Sequence, residues 1–417
     1  MNNTQAIIIT IGDELLIGQI VDTNSAWIAQ QLNILGISVK ERIAVGDTRD
    51  AIIEALSEAI PKADLILLTG GLGPTSDDIT KPVLCSFFGG KLVVNEDVLA
   101  HVTELFRRRN RPIIERNLKQ AEVPDNCRVI HNPMGTAPGM LFEQNGKWIV
   151  SLPGVPFEMK AMMTETLLPD FATRFGSTQA IVHRNILTIG EGESFLAERI
   201  SDLEAALPGH IRLAYLPSPM AVKLRLTGTG TDEAALTKEV EHHRDLIAAR
   251  VQNRLVALED HPIELLLANA LKKQNLTIGL AESCTGGYIG HKLTQINGSS
   301  AFFKGGIISY ATSAKSDILG IPASVIEKEG VVSEAIATEM AQAARKLLHS
   351  DIGIGITGIL SADPYEDKSP VGTIFISVAG PGKIRAKKYQ LHYDRVQNKE
   401  TATQLALYQA FEFIRPE

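Results

Sequence analysis

The chain has 417 residues, enough for two or three domains at roughly 150 residues each. With 44% hydrophobic and 21% charged residues, its composition is that of a globular protein and excludes a largely disordered chain. Its formal net charge of -7 argues against gripping the phosphates of a nucleic acid through overall charge. No apolar run reaches the length of a membrane span, and the N-terminus lacks the basic, apolar and cleavage regions of a signal peptide, so a cytoplasmic location is expected. Cys85, Cys127 and Cys284 are odd in number and widely spaced, which suits a reducing compartment and offers no metal-ligand pair.

The first domain is expected over residues 1–170. A β-branched run from Gln5 to Thr10 breaks at Gly12-Asp13-Glu14, and an amphipathic segment follows through Trp27, Ile28 and Leu32. Residues 51–60 read as a helix and 63–68 as a buried strand, which runs into Thr69-Gly70-Gly71-Leu72-Gly73-Pro74-Thr75-Ser76-Asp77-Asp78. Alternating strands and helices predict a parallel α/β sheet with covering helices. Glycines between a strand and a helix let backbone amides approach a phosphate, so Gly70, Gly71 and Gly73 form a candidate anion cradle. Asp77 and Asp78 beside it are candidate ligands for a divalent metal ion, with an acidic helix start as the plainer alternative.

These motifs, with Asp22-Thr23-Asn24, Arg116-Asn117-Leu118-Lys119-Gln120-Ala121, Asn132-Pro133-Met134-Gly135-Thr136-Ala137-Pro138-Gly139 and Leu152-Pro153-Gly154-Val155-Pro156, resemble the molybdopterin-binding-type, three-layer domain of the CinA family. The resemblance implies metal-dependent hydrolysis of ADP-ribose at a site around Asp13, Asn24, Gly71, Asp77 and Asp78. It carries no implication that the chain makes molybdenum cofactor.

Residues 171–258 are expected to form a small α+β module: a strand from 184 to 189, a helix from 193 to 203, an alternating strand from 221 to 227 and a helix from 232 to 251. The resemblance implies a KH-like arrangement. No Gly-x-x-Gly loop lies between helices, and Gly190-Glu191-Gly192-Glu193 is acidic, which favours a spacer over a nucleic-acid module.

The last domain, residues 259–417, begins after His261-Pro262 with a helix from 263 to 273 and a strand from 276 to 280. The turn Ala281-Glu282-Ser283-Cys284-Thr285-Gly286-Gly287 follows, suited by its hydroxyls and amides to holding a phosphate. Ser283 or Cys284 is an alternative nucleophile, ranked below Ser300 because no candidate base is close in sequence. The stretch from Gly298 to Lys315 holds Ser300 in a turn, a strand over 306–310, Tyr310 at its end and Lys315 in the next helix. A serine needs a base and a lysine serves only when neutral, so Ser300 and Lys315 are read as a nucleophile–base pair with Tyr310 relaying or orienting. The plainer alternative makes Gly298-Ser299-Ser300 a helix cap and Lys315 a solvated side chain. Residues 334–348 read as a core-facing helix, 351–356 as a buried strand ending in Thr357-Gly358, 370–379 as another strand, and 398–414 as a closing helix.

Glu282-Ser283-Cys284-Thr285-Gly286-Gly287, Gly298-Ser299-Ser300, Tyr310, Ala314-Lys315, Gly330-Val331-Val332-Ser333-Glu334, Thr357-Gly358 and Pro370-Val371-Gly372-Thr373 together resemble the CinA C-terminal domain. The resemblance implies a serine-lysine amidohydrolase converting nicotinamide mononucleotide to nicotinic acid mononucleotide and ammonia, with no metal at that site. It implies Ser300 as nucleophile, Lys315 as base and Tyr310 as support, with Ser283, Thr357 and Arg395 contacting substrate; Thr285 and Gly286 join Arg395 as candidate phosphate contacts. The chain departs from the family over 360–369, where an acidic run replaces a glycine-rich loop, and at Lys399, where a second arginine is expected. Open alternatives are an inactive C-terminal nucleotide sensor or dimer scaffold, and a partner protein in competence or DNA damage. A homodimer with small-molecule nucleotide substrates and no membrane partner is expected.

Overall fold

In the computed structural model, the described residues are 4–176, 180–218, 221–258, 261–361 and 369–415. The chain divides into two compact units, one comprising Met1–His183, Leu207–Arg212 and Leu226–His243, the other Arg184–Ala206, Leu213–Arg225 and Arg244–Glu417. The expected middle module is a small α+β assembly. Its four strands lie in the order Ile211–Pro217, Ala221–Gly230, Ala180–Ile189, Leu255–Ala257, with Glu193–Ala205 and Glu233–Arg250 as helices. Among the described residues no helix is long and apolar enough to cross a membrane.

The first unit is built on a six-stranded sheet in the order Ser38–Val45, Gln5–Ile11, Leu65–Thr69, Lys147–Leu152, Gly139–Gln144, Arg128–Ile130. The first four strands run parallel; Gly139–Gln144 runs against them, and Arg128–Ile130 pairs antiparallel to it. Gln5–Ile11 and Leu65–Thr69 are buried on both faces, which is why they read as unbroken aliphatic runs. One face packs Ile7, Ile9, Ile66 and Leu68 against Ile52 and Leu56; the other packs Ile8 and Leu67 against Ile28, Leu32, Met159 and Phe171.

The C-terminal sheet runs Phe303–Ile308, Ile278–Glu282, Ile352–Gly358, Thr373–Gly380, Lys383–Gln390. The first three strands are parallel; Thr373–Gly380 runs against them, and Lys383–Gln390 pairs antiparallel to it. Helices Ile263–Gln274 and Arg395–Ile414 bury Leu267, Leu271, Leu405 and Phe413 on one face, while Glu334–Leu347 buries Ile336, Met340 and Ala344 on the other. Glycine sets that second contact: a Cβ on Gly353 or Gly355 would overlap the carbonyl oxygens of Ala341 or Ala337, so the helix rests backbone to backbone on the strand. Parallel pairing has one consequence for chemistry. Residues that follow the strands Ile278–Glu282, Phe303–Ile308 and Ile352–Gly358 all emerge at the same carboxyl edge.

Candidate active site

Three loops meet at that edge. The first begins at Ser283, whose amide donates to the Ile356 carbonyl (3.1 Å) of the adjacent strand. The second carries Ser309 and Tyr310, with Ser309 N bonded to Glu282 O at 2.8 Å. It continues into the short helix Thr312–Asp317, whose Lys315 turns inward and is completely buried. The Lys315 Nζ lies 3.2 Å from Ser283 Oγ and donates to Ser309 O at 2.8 Å. Burial pulls this amine below the ordinary lysine range, against a weaker opposing influence of Cys284. A lysine so placed reaches its neutral, proton-accepting form at lower pH than a solvated one, with a serine hydroxyl in hydrogen-bond reach.

Ser300 is not part of this group. It sits exposed in the turn Ser299–Ala301, before Phe303–Ile308 begins, whereas Lys315 follows that strand's end. The six residue steps from Phe303 to Ser309 span roughly 20 Å at about 3.3 Å each, so the two side chains belong to opposite edges of the sheet. The pairing of Ser300 with Lys315 is therefore corrected to Ser283 with Lys315. Nor does Cys284 compete: its thiol is buried and pushed up to about 12, chiefly by desolvation, which keeps it protonated.

Tyr310 also differs from expectation. Its side chain is 61% exposed, and its hydroxyl accepts from Arg395 Nη2 at 2.8 Å rather than meeting Lys315. Arg395, the first residue of its helix, donates through Nη1 to Ser361 Oγ at 2.8 Å. One turn later Lys399 Nζ lies 5.3 Å from the Tyr288 ring centroid and close to Gly286. Two cations on one helix face thus stand beside the Ser283 loop.

The turn Thr285-Gly286-Gly287 does not offer the amides of the following helix to an anion, because a carboxylate from within the chain already has them. Glu282, itself buried, accepts from the amides of Gly287 (3.0 Å), Ile289 (3.2 Å) and Gly290 (2.9 Å). Thr357 is buried with its hydroxyl donating to Val331 O at 3.0 Å, so it supports the edge from within. Thr285 Oγ1 and Ser309 Oγ are buried without a hydrogen-bond partner. Sequence reading passed over Ser309, Glu282 and Ser361. The signal for Ser309 is its position, directly after a strand that is parallel to the one before Ser283. Residues 362–368 of the altered loop lie outside the described residues.

The N-terminal candidate site gathers around a glycine turn. Gly70 and Gly71 have positive φ (118° and 64°), and a Cβ would overlap the Ile11 carbonyl at the first and Thr80 Oγ1 at the second. Asn24 Nδ2 donates to Gly154 O (2.7 Å) and Thr69 Oγ1 (3.2 Å), leaving its buried Oδ1 without a partner. Asp13 and Asp47 exchange backbone-to-carboxylate hydrogen bonds at 3.1 and 3.2 Å. Burial raises the Asp47 carboxyl above the ordinary range, and the charges of Glu14, Asp13 and Asp77 add to this.

Asp78 is tied back to Thr75, accepting from its amide at 2.8 Å and from its hydroxyl, while Asp77 is exposed. Among the described residues no three His, Cys, Asp or Glu side chains converge as a metal cage. The expected Asp77–Asp78 pair belongs to no such group of three. Beside the loop, a cavity of about 550 Å³ is lined by Gly73, Thr75, Asp78, Lys81, Arg116 and Lys119. Lys81 is bound to the carbonyls of Lys119 and Gln120 (both 3.2 Å), and burial brings its amine down to about 8.

Comparison with known proteins divides the chain into three matched segments. Residues 7–173 match the probable molybdopterin binding domain, 183–257 the damage-inducible protein CinA KH domain, and 260–414 the CinA C-terminal domain. A CinA-like protein of Cytophaga hutchinsonii is 45% identical over 94% of both chains, and one from Flavobacterium psychrophilum is 43% identical over 99% of this chain and 98% of its own. A crystal structure of CinA from Thermoplasma acidophilum, 38% identical, covers 40% of this chain and 98% of that one with a TM-score of 0.37.

Proposed function

The chain belongs to the CinA family, and from that premise we propose that its C-terminal edge site is a serine-lysine amidohydrolase in which Ser283 is the nucleophile and Lys315 the base. The observation that carries this reading is the wholly buried Lys315 amine within 3.2 Å of Ser283 Oγ, with its proton affinity reduced by burial. The substrate is nicotinamide mononucleotide. Neutral Lys315 takes the Ser283 proton as Oγ adds to the carboxamide carbon. The resulting ammonium returns that proton to the nitrogen as the C–N bond breaks, releasing ammonia and leaving an acyl ester on Ser283. Water then gives up a proton to Lys315, attacks the ester, and yields the carboxylate and free serine. Arg395 and Lys399 bind the phosphate, a role that suits two cations projecting beside the loop.

The test is ammonia release by the full-length protein. Ser283→Ala and Lys315→Met should each lower kcat on the order of 10³-fold or more, while Ser300→Ala stays near wild type. Loss of activity in Ser300→Ala with retention in Ser283→Ala would overturn the assignment.

A second, independent activity is proposed for the N-terminal site, favoured by the charges crowding Asp47 and by the orphaned Asn24 Oδ1. These residues fit a divalent ion held largely by substrate phosphate, with Asp77 and Asp47 as protein ligands, better than they fit an all-protein cage. Such an ion supplies neutralisation of charge developing on a pyrophosphate. Lys81, Arg116 and Lys119 line the cavity that would receive the rest of ADP-ribose. Metal-dependent formation of AMP and ribose 5-phosphate should fall about 100-fold in Asp77→Ala, with ammonia release unchanged. Equal turnover by variant and wild type would remove this assignment.

A further inference from the structure

Successive residues of a strand point to opposite faces of its sheet. In Ala180–Ile189 the side chains of Ile186 and Thr188 are buried, while Leu187 and Ile189 line a cavity of about 430 Å³. Ala221 and Lys223 of the neighbouring strand extend this wall. Across the cavity stand Ile263, Leu405 and Leu407 from the helices Ile263–Gln274 and Arg395–Ile414. All of these residues belong to the second compact unit. The volume is in the usual range for small-molecule sites, and a slot between a sheet face and helices suits a flat, apolar body.

One end of the slot is charged. Lys292 and Glu264 line it, mostly buried, with side chains 22% and 14% exposed, yet they stand 3.9 Å apart, too far for a hydrogen bond. The other electrostatic partner of Lys292 among the described residues is the Tyr288 ring, whose centroid lies 5.5 Å from its Nζ. An ammonium has three N–H bonds to place, and among the described residues none of those on Lys292 is spent on a hydrogen bond. The desolvation of a charged pair is repaid only by close geometry, which this pair lacks. Ile263 and Glu264 also open a 12-residue helix whose start, at Pro262, has no side-chain cap, so its positive end lies at the cavity. Among the described lining residues Lys223 and Lys292 outnumber the one carboxylate.

Tyr288 links this cavity to the Ser283 edge. Lys399, assigned above to the substrate phosphate, holds its Nζ 5.3 Å from the centroid of the same ring. The helix that carries Arg395 and Lys399 continues into the cavity wall as Gln404, Leu405 and Leu407.

We infer that the cavity binds a small aromatic anion, its ring filling the slot and its charge pairing with Lys292, and that occupancy weakens the binding of a phosphorylated substrate at the Ser283 edge. The sign follows from Coulomb's law: a negative charge at Lys292 stands one ring away from Lys399 and opposes a second negative charge there. The binding site rests on the cavity itself, and its effect on turnover rests on the amidohydrolase reading. Coupling of this kind is reciprocal, so nicotinamide mononucleotide weakens the aromatic anion by the same factor.

The experiment titrates the full-length protein with 8-anilinonaphthalene-1-sulfonate, a flat aromatic anion that fluoresces on leaving water. Ala221→Trp and Gln404→Phe fill the slot from its sheet wall and its helix wall. Each should weaken binding at least about 10-fold, while ammonia release without the dye stays near wild type. Lys292→Met, which removes the cation, should weaken binding on the order of 10-fold. Saturating dye should raise KM for nicotinamide mononucleotide about 5-fold or more with kcat within about twofold, and leave KM for the unphosphorylated riboside unchanged.

The inference is overturned if neither filling variant weakens the dye, if Lys292→Met binds it as tightly as wild type, or if saturating dye leaves KM unmoved. A rise in KM that persists in Ala221→Trp overturns it too, because the dye would then be competing at the catalytic edge. Failure of the amidohydrolase reading looks different: wild type without dye releases no ammonia. The effect on turnover then falls with that reading, and the fluorescence titration still decides the binding site.

Discussion

Replacing Lys315 with methionine should make the C-terminal sheet more stable at neutral pH while removing its chemistry. The side chain is wholly buried, and both of its hydrogen-bond partners, Ser283 Oγ and Ser309 O, are neutral. Methionine has similar length and no charge. The substitution gives up two hydrogen bonds, about 2 kcal/mol together. It also removes the penalty of keeping an ammonium out of water, several kcal/mol even after relaxation. The balance is a gain of roughly 1–3 kcal/mol, or about 5- to 150-fold in protection against local opening.

The pH dependence carries the sharper signature. Burial lowers the folded-state affinity of Lys315 for its proton, so between the folded and unfolded pKa values the unfolded chain binds more protons, and wild-type stability rises with pH across that window. The methionine variant lacks this rise, so its advantage should shrink as the pH approaches the ordinary lysine value of about 10.4. Cys284 contributes the opposite slope in both proteins and largely cancels in the difference. Trp27 and Trp148 both lie in the first unit, so tryptophan fluorescence would miss the event. Hydrogen exchange of the strand Ile278–Glu282 at neutral and alkaline pH reports it directly. A variant less protected than wild type at neutral pH, or one with an unchanged pH slope, would refute the picture of Lys315 as a strained buried base.

Burial raises all three cysteine thiols, Cys127 to about 11 and Cys284 to about 12, so iodoacetamide at pH 8 should modify well under one equivalent of the folded protein and all three in denaturant. Rapid labelling of native Cys284 would contradict its exclusion as the nucleophile. Gly355→Ala forces a Cβ into the Ala337 carbonyl and should cost about 1–3 kcal/mol or more by hydrogen exchange of the same strand; a change within about 0.5 kcal/mol would mean that the helix Glu334–Leu347 yields more readily than the contact implies. Arg395→Ala should raise KM for nicotinamide mononucleotide on the order of 10-fold or more while leaving turnover of the unphosphorylated riboside unchanged. An equal loss with both substrates would detach Arg395 from the phosphate.

The sheet architecture was readable because its central strands are buried on both faces. Gln5–Ile11, Leu65–Thr69 and Ile352–Gly358 are short, nearly unbroken apolar runs, rich in isoleucine or leucine and bounded by glycine at their carboxyl ends. Phe303–Ile308 was read about three residues late, since Lys304, Gly305 and Gly306 weaken its apolar signal at an edge. Lys383–Gln390 was missed outright. It is the exposed opposite edge, and Lys383, Arg385, Lys387 and Lys388 are the charges that keep such an edge from pairing with another chain. At the N-terminal site Gly70 and Gly71 were legible as glycines with a backbone task. The engagement of Asp78 by Thr75 and of Asp13 by Asp47 depends on loop geometry that residue types do not encode.

The misplaced pairing of Ser300 with Lys315 follows from treating closeness in sequence as closeness in space. Ser300 and Lys315 are 15 residues apart, but a strand lies between them and carries the chain from one edge of the sheet to the other. Ser283 and Lys315 are 32 residues apart, yet both follow parallel neighbours and so emerge together. The same reasoning relocates anion binding. Glu282 at the end of its strand has taken the amides of the helix Tyr288–Thr294, so a phosphate at this edge must find positive charge elsewhere. In the proposed reading Arg395 and Lys399 supply it from the start of the last helix, one turn apart, with Tyr288 beneath Lys399 and Tyr310 against Arg395. The two tyrosines fix the cations in place, so the phosphate contact and the Ser283–Lys315 pair are built on different elements. Binding and chemistry should therefore separate cleanly on mutation.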